Sequence, residues 1–289
     1  MKKLIDKEIT KELSFDEYKQ IIDDLIANKK LNKLKLQPNY FEITNNYWII
    51  DKYIAKNGQF SPDVFPNTLD TYSQAIKLGY ALCIPVHILD DDNIVCFSHK
   101  NISKVVPTTS GYLNKFSLNE LKEVSLNDRN EKVPTLEEAL NHIANKTPII
   151  IEIHNEGMVG KMEDKILSLL QKYINKYNCH SRVAIMSMNP YTLQYCYQQF
   201  PYITRILKSG NFAEKMFGSL PTRKLKNLKL YKITMSDFIC YSSELLPSRL
   251  CAKCKPVGVI AYNVTNQNHY IKVAPYCDNI IFSHFKPTI

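Results

Sequence analysis

The sequence predicts an α/β fold, a (β/α)₈ TIM barrel, and two observations carry this prediction. Short apolar runs alternate with amphipathic helical segments over about 240 residues, and around eight of the runs have strand character. The runs are apolar at every position rather than at every second one, which is typical of parallel strands covered on both faces. A chain of 289 residues is long enough for one such barrel.

The predicted strands follow one another along the chain, and polar or turn-forming residues bound each of them. In order they are YWIIDKYIA, YALCIPVHIL, NIVCFSH, TPIIIEI, RVAIMS, YITRIL, DFICY, VGVIAYNV and DNIIFS. A doubly wound open sheet is the alternative that this pattern leaves open. No glycine-rich phosphate loop follows any of the runs, so a Rossmann or P-loop protein has no support.

Helical periodicity appears between the strands and before them. The segments between strands are NTLDTYSQAIKLG, TLEEALNHIANK, MEDKILSLLQKYINKY and NPYTLQYCYQQF. Residues 1–45 are predicted to form an N-terminal helical extension, in which Ser14 is a suitable N-cap, and residues 46–289 form the barrel. Residues 100–134 are polar, with one short helix signal, and predict a small insertion after the second barrel strand, over the functional face.

Composition and charge bound the function only loosely. The chain has 45% hydrophobic and 22% charged residues, and its net charge of +9 comes from scattered lysines. This charge favours anionic partners, but no nucleic-acid motif accompanies it. No apolar run reaches the ~18–20 residues of a membrane span. Because the N-terminus MKKLIDKEITKEL also lacks the apolar stretch of a signal peptide, we expect a cytoplasmic protein.

The eight cysteines fit a reducing compartment. Cys251 and Cys254 have the spacing of metal ligands, but the sequence has no second pair at that spacing. We therefore expect two thiols late in a helix rather than a zinc site.

A series of short motifs runs in fixed order from about residue 47 to the end of the chain. They are IAKNG (54–58), FPNTL (65–69), GYALCIPVHILDDDNIVCFSHK (79–100), TTSG (108–111), VPTLEEAL (133–140), IIEIH (150–154), IMSMN (185–189), VIAYNV (259–264) and DNIIFSHFKP (278–287). In order and spacing the series resembles the glycerophosphodiester phosphodiesterases, TIM barrels related to phosphatidylinositol phospholipase C. The resemblance implies a phosphodiester substrate, two histidines as general base and acid, and a calcium or magnesium ion held by carboxylates.

Several positions depart from the motifs of that family. Lys56 stands where the resemblance places the first catalytic histidine, Asn57 stands at the following arginine, and Pro66 at a glutamate. Ile84 and Val86 replace two of the three metal carboxylates. Lysine can hold a phosphate, but it stays protonated near pH 7 unless burial lowers its pKa. The motifs thus leave the metal site incomplete, and we expect no cofactor or a weakly bound magnesium or calcium ion.

Other positions keep the pattern. His99 stands at the second catalytic histidine and is the candidate acid or base, although Lys100 follows it in place of an aspartate. Glu152 stands at the third metal carboxylate, and His154 would point to the same side of the strand. Since a buried carboxylate needs a partner, Lys56 or His154 is expected to pair with Glu152.

Two further features of the site stay open in the sequence. A one-residue bulge would turn His87 inward and imply a metal other than calcium or magnesium. Tyr262 replaces a tryptophan and can form either an aromatic wall for a glycerol moiety or part of the core. The candidate ligand-binding residues are Lys56, Asn57, Lys100, His154 and Tyr262.

Three hypotheses follow. The first is a degenerate family member that binds a small phosphorylated glycerol or lipid-headgroup-type ligand, with metal-dependent hydrolysis impaired or lost. The second is an active, divergent phosphodiesterase that cleaves glycerophosphodiesters to glycerol 3-phosphate and an alcohol and uses His99. The third is a basic surface for nucleic acid or anionic lipid, which only the charge balance supports.

Overall fold

The structure of the protein is a computed structural model that describes residues 48–210, 227–254, 256 and 258–288. Within these ranges the chain forms nine strands. They are β1 (Ile54–Lys56), β2 (Ala81–Ile88), β3 (Ile94–Cys96), β4 (Ile149–Ile153), β5 (Val183–Ser187), β6 (Thr204–Ser209), β7 (Phe238–Ser242), β8 (Gly258–Val264) and β9 (Asn279–Phe282). The predicted N-terminal helix and its cap Ser14 lie outside the described residues.

Eight of these strands close into a parallel barrel. Each of β1, β2 and β4 to β9 pairs with the next in that order, and β9 pairs with β1. The remaining strand, β3, pairs with the end of β2 in antiparallel orientation. The predicted TIM barrel is confirmed, and the open doubly wound sheet is excluded because β1 pairs with both β2 and β9.

Helices follow the strands and cover the outside of the barrel. The described helices are α1 (Trp48–Asp51), α2 (Leu69–Lys77), α3 (Leu118–Glu123), α4 (Leu136–Ile143), α5 (Lys161–Tyr177), α6 (Pro190–Gln199), α7 (Arg249–Cys254) and α8 (Gln267–Val273). Local sequence sets their starts: Thr68 and Asn189 cap α2 and α6, and Thr135 forms a capping box with Glu138 at α4. None of the described helices is both long and apolar enough to cross a bilayer.

Side chains alternate between two apolar layers along the strands. One cluster fills the barrel and takes Ile54, Cys83 and Ile150 from successive strands. The other lies between the strands and the helices and takes the intervening residues, such as Leu82 and Ile151. A residue's parity along its strand therefore decides whether it faces the barrel interior.

Two short segments differ from the simplest expectation. The run predicted as the first strand begins with the helix α1, and Trp48 donates a hydrogen bond from Nε1 to the Ser181 carbonyl at 2.7 Å, which covers the amino-terminal end of the barrel. The polar segment after β3 forms a small core of its own, with Ile102, Leu113 and Leu121 fully or almost fully buried. Cys251 and Cys254 lie in α7, as expected for two helical thiols.

Candidate active site

Six side chains from five strands meet at the carboxyl end of the barrel. The group, called the mouth cluster here, consists of Lys56, His87, Glu152, His154, Lys208 and Tyr262. His154 directly follows β4, and the other five lie at or near the last residue of their strands. In barrels of this kind the carboxyl ends of the strands carry the functional residues.

The centre of the mouth cluster is a buried ion pair between Glu152 and Lys208. The side chains are 3% and 7% exposed, and the Lys208 ammonium donates to Glu152 Oε1. The second carboxylate oxygen, Oε2, accepts from the Cys83 thiol, whose Sγ is 3.7 Å away. Both oxygens of the carboxylate therefore have donors within the protein.

Each partner of this pair holds the other in its charged form. Burial opposes the charge of Glu152, but Lys208, His154 and Lys56 outweigh it, so the pKa of the carboxyl lies well below its usual range. Burial likewise opposes the charge of Lys208, yet Glu152 outweighs it and raises the pKa of the ammonium. Burial and then Glu152 raise the pKa of Cys83 well above its ordinary value, which keeps it a thiol that can donate.

Two histidines line the same side of the cluster. His154 Nε2 lies 3.2 Å from Glu152 Oε1, within ion-pair range but without a well-aligned hydrogen bond. The rings of His87 and His154 lie side by side, with centroids 4.9 Å apart. His87 is buried and its Nε2 has no partner among the described residues. Burial first, then His154, lowers the pKa of His87 well below its ordinary value, so the ring is neutral at pH 7.

Lys56 faces the barrel interior from the end of β1, beside Cys83 of β2. Its ammonium makes no hydrogen bond or ion pair with any residue in the described ranges. Burial, and then repulsion by Lys208, lowers the pKa of Lys56. Glu152 attracts the Lys56 ammonium only from a distance, so no anion contacts this half-buried cation directly. An incoming anion would supply that contact.

The loop after β1 is held in a fixed shape. Asn57 takes a positive φ of 58° and is buried, and its Oδ1 has no partner among the described residues. Its carbonyl accepts from the Asn67 amide at 2.9 Å, and Asn67 Nδ2 in turn donates to Ser98 Oγ at 2.6 Å. These bonds join the Lys56 loop to the loop that carries His99. Pro66 lies half-buried in the same loop.

His99 and Lys100 stand at the rim of the mouth, and both are exposed. Partial desolvation, then the charges of Lys56, His154 and Lys104, lowers the pKa of His99. Lys100 Nζ lies 3.2 Å from Glu156 Oε2 in an exposed ion pair. A cleft of about 570 Å³ opens between the insertion and β2 and β4, with Lys100, Tyr112, His87 and His154 among its lining residues.

Tyr262 closes the opposite side of the ion pair. The Lys208 ammonium lies 4.6 Å from the centre of the Tyr262 ring, a cation–π contact. Burial raises the pKa of Tyr262 to about 12, so its phenol stays neutral. Gly210 makes room for this ring, because a Cβ there would lie 2.5 Å from the Tyr262 hydroxyl and 2.6 Å from Ser242 Cβ.

The structure brings together Lys56, Glu152, His154 and Tyr262 as the sequence indicated, with His99 and Lys100 at the rim. It leaves Ile84 and Val86 outside this group. Both pack in the layer between β2 and the helices, so they do not face the barrel interior.

The inward positions of β2 are Cys83, Pro85 and His87, and the pairing of β2 with β4 continues without interruption through Val86. His87 therefore faces inward without the bulge that the sequence left open. The motif alignment, which has no gap, places the metal-ligand positions at Ile84 and Val86. The inward-facing positions of the strand are shifted from these by one residue.

Lys208 is the residue of the mouth cluster that the sequence analysis did not identify. Its strand ends in TRILKS, where Lys208 has the same parity as the inward-facing Ile206. A lysine at an inward position of a buried strand needs an acidic partner, which is the signal that could have found it. The partner expected for Glu152 was Lys56 or His154; the structure gives Lys208 and His154.

The divalent cation that the family resemblance implies does not fit this donor set. Calcium and magnesium take six or more oxygen ligands, and several of these are normally carboxylates. The mouth cluster has one carboxylate, and both of its oxygens already accept from protein donors. Across the described ranges, no three His, Cys, Asp or Glu side chains are arranged to hold a metal ion.

Comparison with known proteins gives a consistent result. Residues 58–238, more than half of the chain, match the glycerophosphoryl diester phosphodiesterase family. A glycerophosphodiester phosphodiesterase from Caldanaerobacter subterraneus subsp. tengcongensis is 28% identical over 160 residues, which are 52% of this chain and 63% of that protein. The chain thus spans less than two thirds of the length of the curated relatives it matches.

Solved structures resemble the fold at low sequence identity. An Oleispira antarctica phosphodiesterase, solved in complex with its product sn-glycerol-3-phosphate, has a TM-score of 0.65 at 18% identity, over 83% of this chain and 95% of that one. A putative glycerophosphodiester phosphodiesterase from Galdieria sulphuraria has a TM-score of 0.64 at 15% identity, over 81% and 94% of the two chains. These likenesses support the barrel fold.

Proposed function

The chain belongs to the glycerophosphoryl diester phosphodiesterase family, and from this membership we propose that its barrel mouth binds a small phosphorylated ligand of the glycerol or lipid-headgroup type. We further propose that metal-dependent hydrolysis is impaired or lost. The observation that carries the proposal is the charge arrangement: Glu152 is neutralised by Lys208, while the neighbouring Lys56 has no partner among the described residues.

The position of Lys56 suits a phosphate group. Lys56 is inward-facing and has no ion-pair or hydrogen-bond partner among the described residues, and His99 at the rim is close enough to feel its charge. A phosphate beside Lys56 would accept charge-assisted hydrogen bonds from the ammonium, which are about twice as strong as neutral ones. Asn57 adds a buried side-chain amide in the same loop. The related Oleispira antarctica structure, which contains sn-glycerol-3-phosphate, supports glycerol 3-phosphate as the first ligand to test.

Calorimetric titration with sn-glycerol 3-phosphate tests the binding. We expect saturable binding to the wild-type protein that persists in excess EDTA and that Lys56→Met weakens. Lys146→Met is the matched control, because Lys146 is exposed just before β4, at the opposite end of the barrel. Equal affinities of the two variants, or binding only with added calcium or magnesium, would contradict the proposal.

A second function, divergent phosphodiester cleavage without the family metal, is favoured by His99. The lowered pKa of this exposed imidazole makes it neutral near pH 7 and able to accept a proton. In this reading His99 is the acid or base and Lys56, in place of the other histidine, holds the phosphate. Release of glycerol 3-phosphate from glycerophosphocholine or glycerophosphoglycerol that is lost in His99→Ala would establish this function. No release from either diester with any metal would exclude it.

A further inference from the structure

The Lys208 ammonium occupies a position that is unusual for a lysine. It reaches from β6 across the barrel interior to Glu152 on β4, and β5 lies between these two strands. Its side chain is 7% exposed. The ring of Tyr262 covers its other side. A cation is thus enclosed between a carboxylate and an aromatic ring, at the level where the five strands of the mouth cluster end.

From this geometry we infer that Lys208 is a built-in replacement for a divalent cation at the mouth of the barrel. A lysine ammonium carries a fixed positive charge and three donors. It neutralises the one carboxylate of the mouth cluster without exchanging with solvent. The inference deepens the proposed function, since it names what balances Glu152 in a site that binds its ligand without calcium or magnesium.

The surrounding charges oppose a divalent ion at Glu152 as long as Lys208 is present. Lys56 and Lys208 already repel each other, and His154 Nε2 lies beside the same carboxylate oxygen that Lys208 occupies. A divalent ion at Glu152 would have to displace Lys208 and would remain next to Lys56. The single positive charge of the Lys208 ammonium balances the single negative charge of Glu152.

Removal of Lys208 should therefore create a metal site. Glu152 would lose its counter-charge beside two imidazoles, His87 and His154, whose Nε2 atoms have no hydrogen-bond partner among the described residues. One carboxylate and two imidazoles suit zinc or cobalt rather than calcium or magnesium. The side chains do not form such a site in the wild-type protein, because Lys208 holds Oε1 and the two rings lie side by side.

The test measures metal binding directly, without reference to activity. Wild-type protein, Lys208→Met and the double variant Lys208→Met/Glu152→Gln are dialysed against Co²⁺, and bound metal and visible absorption are recorded. We expect stoichiometric cobalt and a d–d absorption band in Lys208→Met, and loss of this site in the wild type and in the double variant. A thermal melt of Lys208→Met should shift upward when Co²⁺ or Zn²⁺ is added.

Other outcomes would overturn the inference. A folded Lys208→Met protein that binds no more metal at Glu152 than the wild type would do so. If Lys208→Met does not fold, Lys208→Gln takes its place. If neither variant folds, metal binding to the wild-type protein decides. Calcium, magnesium or cobalt that binds at submillimolar concentration, and whose binding is lost in Glu152→Gln, would show that Lys208 does not replace the ion. Absence of such binding would support the inference. Glycerol 3-phosphate titrations of the wild type, run separately, test the proposed function independently of the metal result.

Discussion

Lys208 and Glu152 form a buried ion pair across the barrel mouth from two strands that are not neighbours in the sheet. The two residues are 56 positions apart in the chain. Because burial removes both charges from water, each depends on the other far more than an exposed pair would. The stability of the barrel and the chemistry of its mouth therefore depend on the same contact.

Breaking this pair from one side should be costly. Glu152→Gln leaves the Lys208 ammonium buried without a counter-charge, and we expect a loss of about 3–5 kcal/mol in the free energy of unfolding. Chemical denaturation measures it. The control is Glu156→Gln, which breaks the exposed pair with Lys100 and should cost at most about 1 kcal/mol.

Removing both partners should restore much of that loss. In Glu152→Met/Lys208→Met, apolar side chains of similar length replace the buried pair, a change that is often neutral. We expect the double variant to be more stable than either single variant, which a double-mutant cycle quantifies. If the effects of the two single variants simply add, the pair is not coupled as the structure indicates.

Below neutral pH, the free energy of unfolding should depend on the protonation of His87. Burial and His154 lower the pKa of His87 in the folded state, so the unfolded state binds a proton more readily as pH falls. The full stability is therefore present above the unfolded pKa of about 6.5 and decreases below it. Glu152, whose pKa is also depressed, loses its contribution only below about pH 4.3. His87→Asn should therefore flatten the fall in unfolding free energy between about pH 7 and 5. The control variant is His180→Asn, at an exposed site.

Ligand binding should be linked to proton uptake at Lys56. Burial and Lys208 lower the pKa of Lys56 in the free protein, and a bound phosphate would supply the missing counter-charge and raise it. At a pH where Lys56 is partly deprotonated in the free protein, we expect glycerol 3-phosphate binding to take up protons. The binding enthalpy should then vary with the ionisation enthalpy of the buffer. Lys56→Met should remove the part of this dependence that Lys56 causes, so an unchanged dependence would count against Lys56 as the phosphate contact.

Even a methyl side chain at position 210 should destabilise the protein. The φ of Gly210 is +152°, and a Cβ would collide with the Tyr262 hydroxyl and with Ser242. We expect Gly210→Ala to displace the ring from Lys208 and to cost about 1–3 kcal/mol beyond the backbone strain. Gly79→Ala is a control for alanine at a positive φ without a collision, because Gly79 has a φ of +81° with open space around its Cβ position. Similar losses in the two variants would mean that the Tyr262 contact is unimportant.

The sequence by itself determined a fold of parallel strands alternating with helices, for which it predicted a barrel. Continuously apolar runs separated by capped helices allow few arrangements other than parallel strands covered on both faces, and the motif order indicated the family. It also marked Lys56, His99, Glu152 and His154 as residues of the site. These assignments depend on local patterns, which a sequence records directly.

Tertiary structure alone decided how the charges at the mouth are matched. Lys208 meets Glu152 because barrel closure brings the ends of β4 and β6 within reach, a relation between distant segments that local patterns do not contain. Strand parity decided that His87 faces inward while Ile84 and Val86 face the helices, since a shift of one residue moves a side chain to the opposite face. The buried carboxylate could be read from the sequence, but its counter-charge could be identified only in three dimensions.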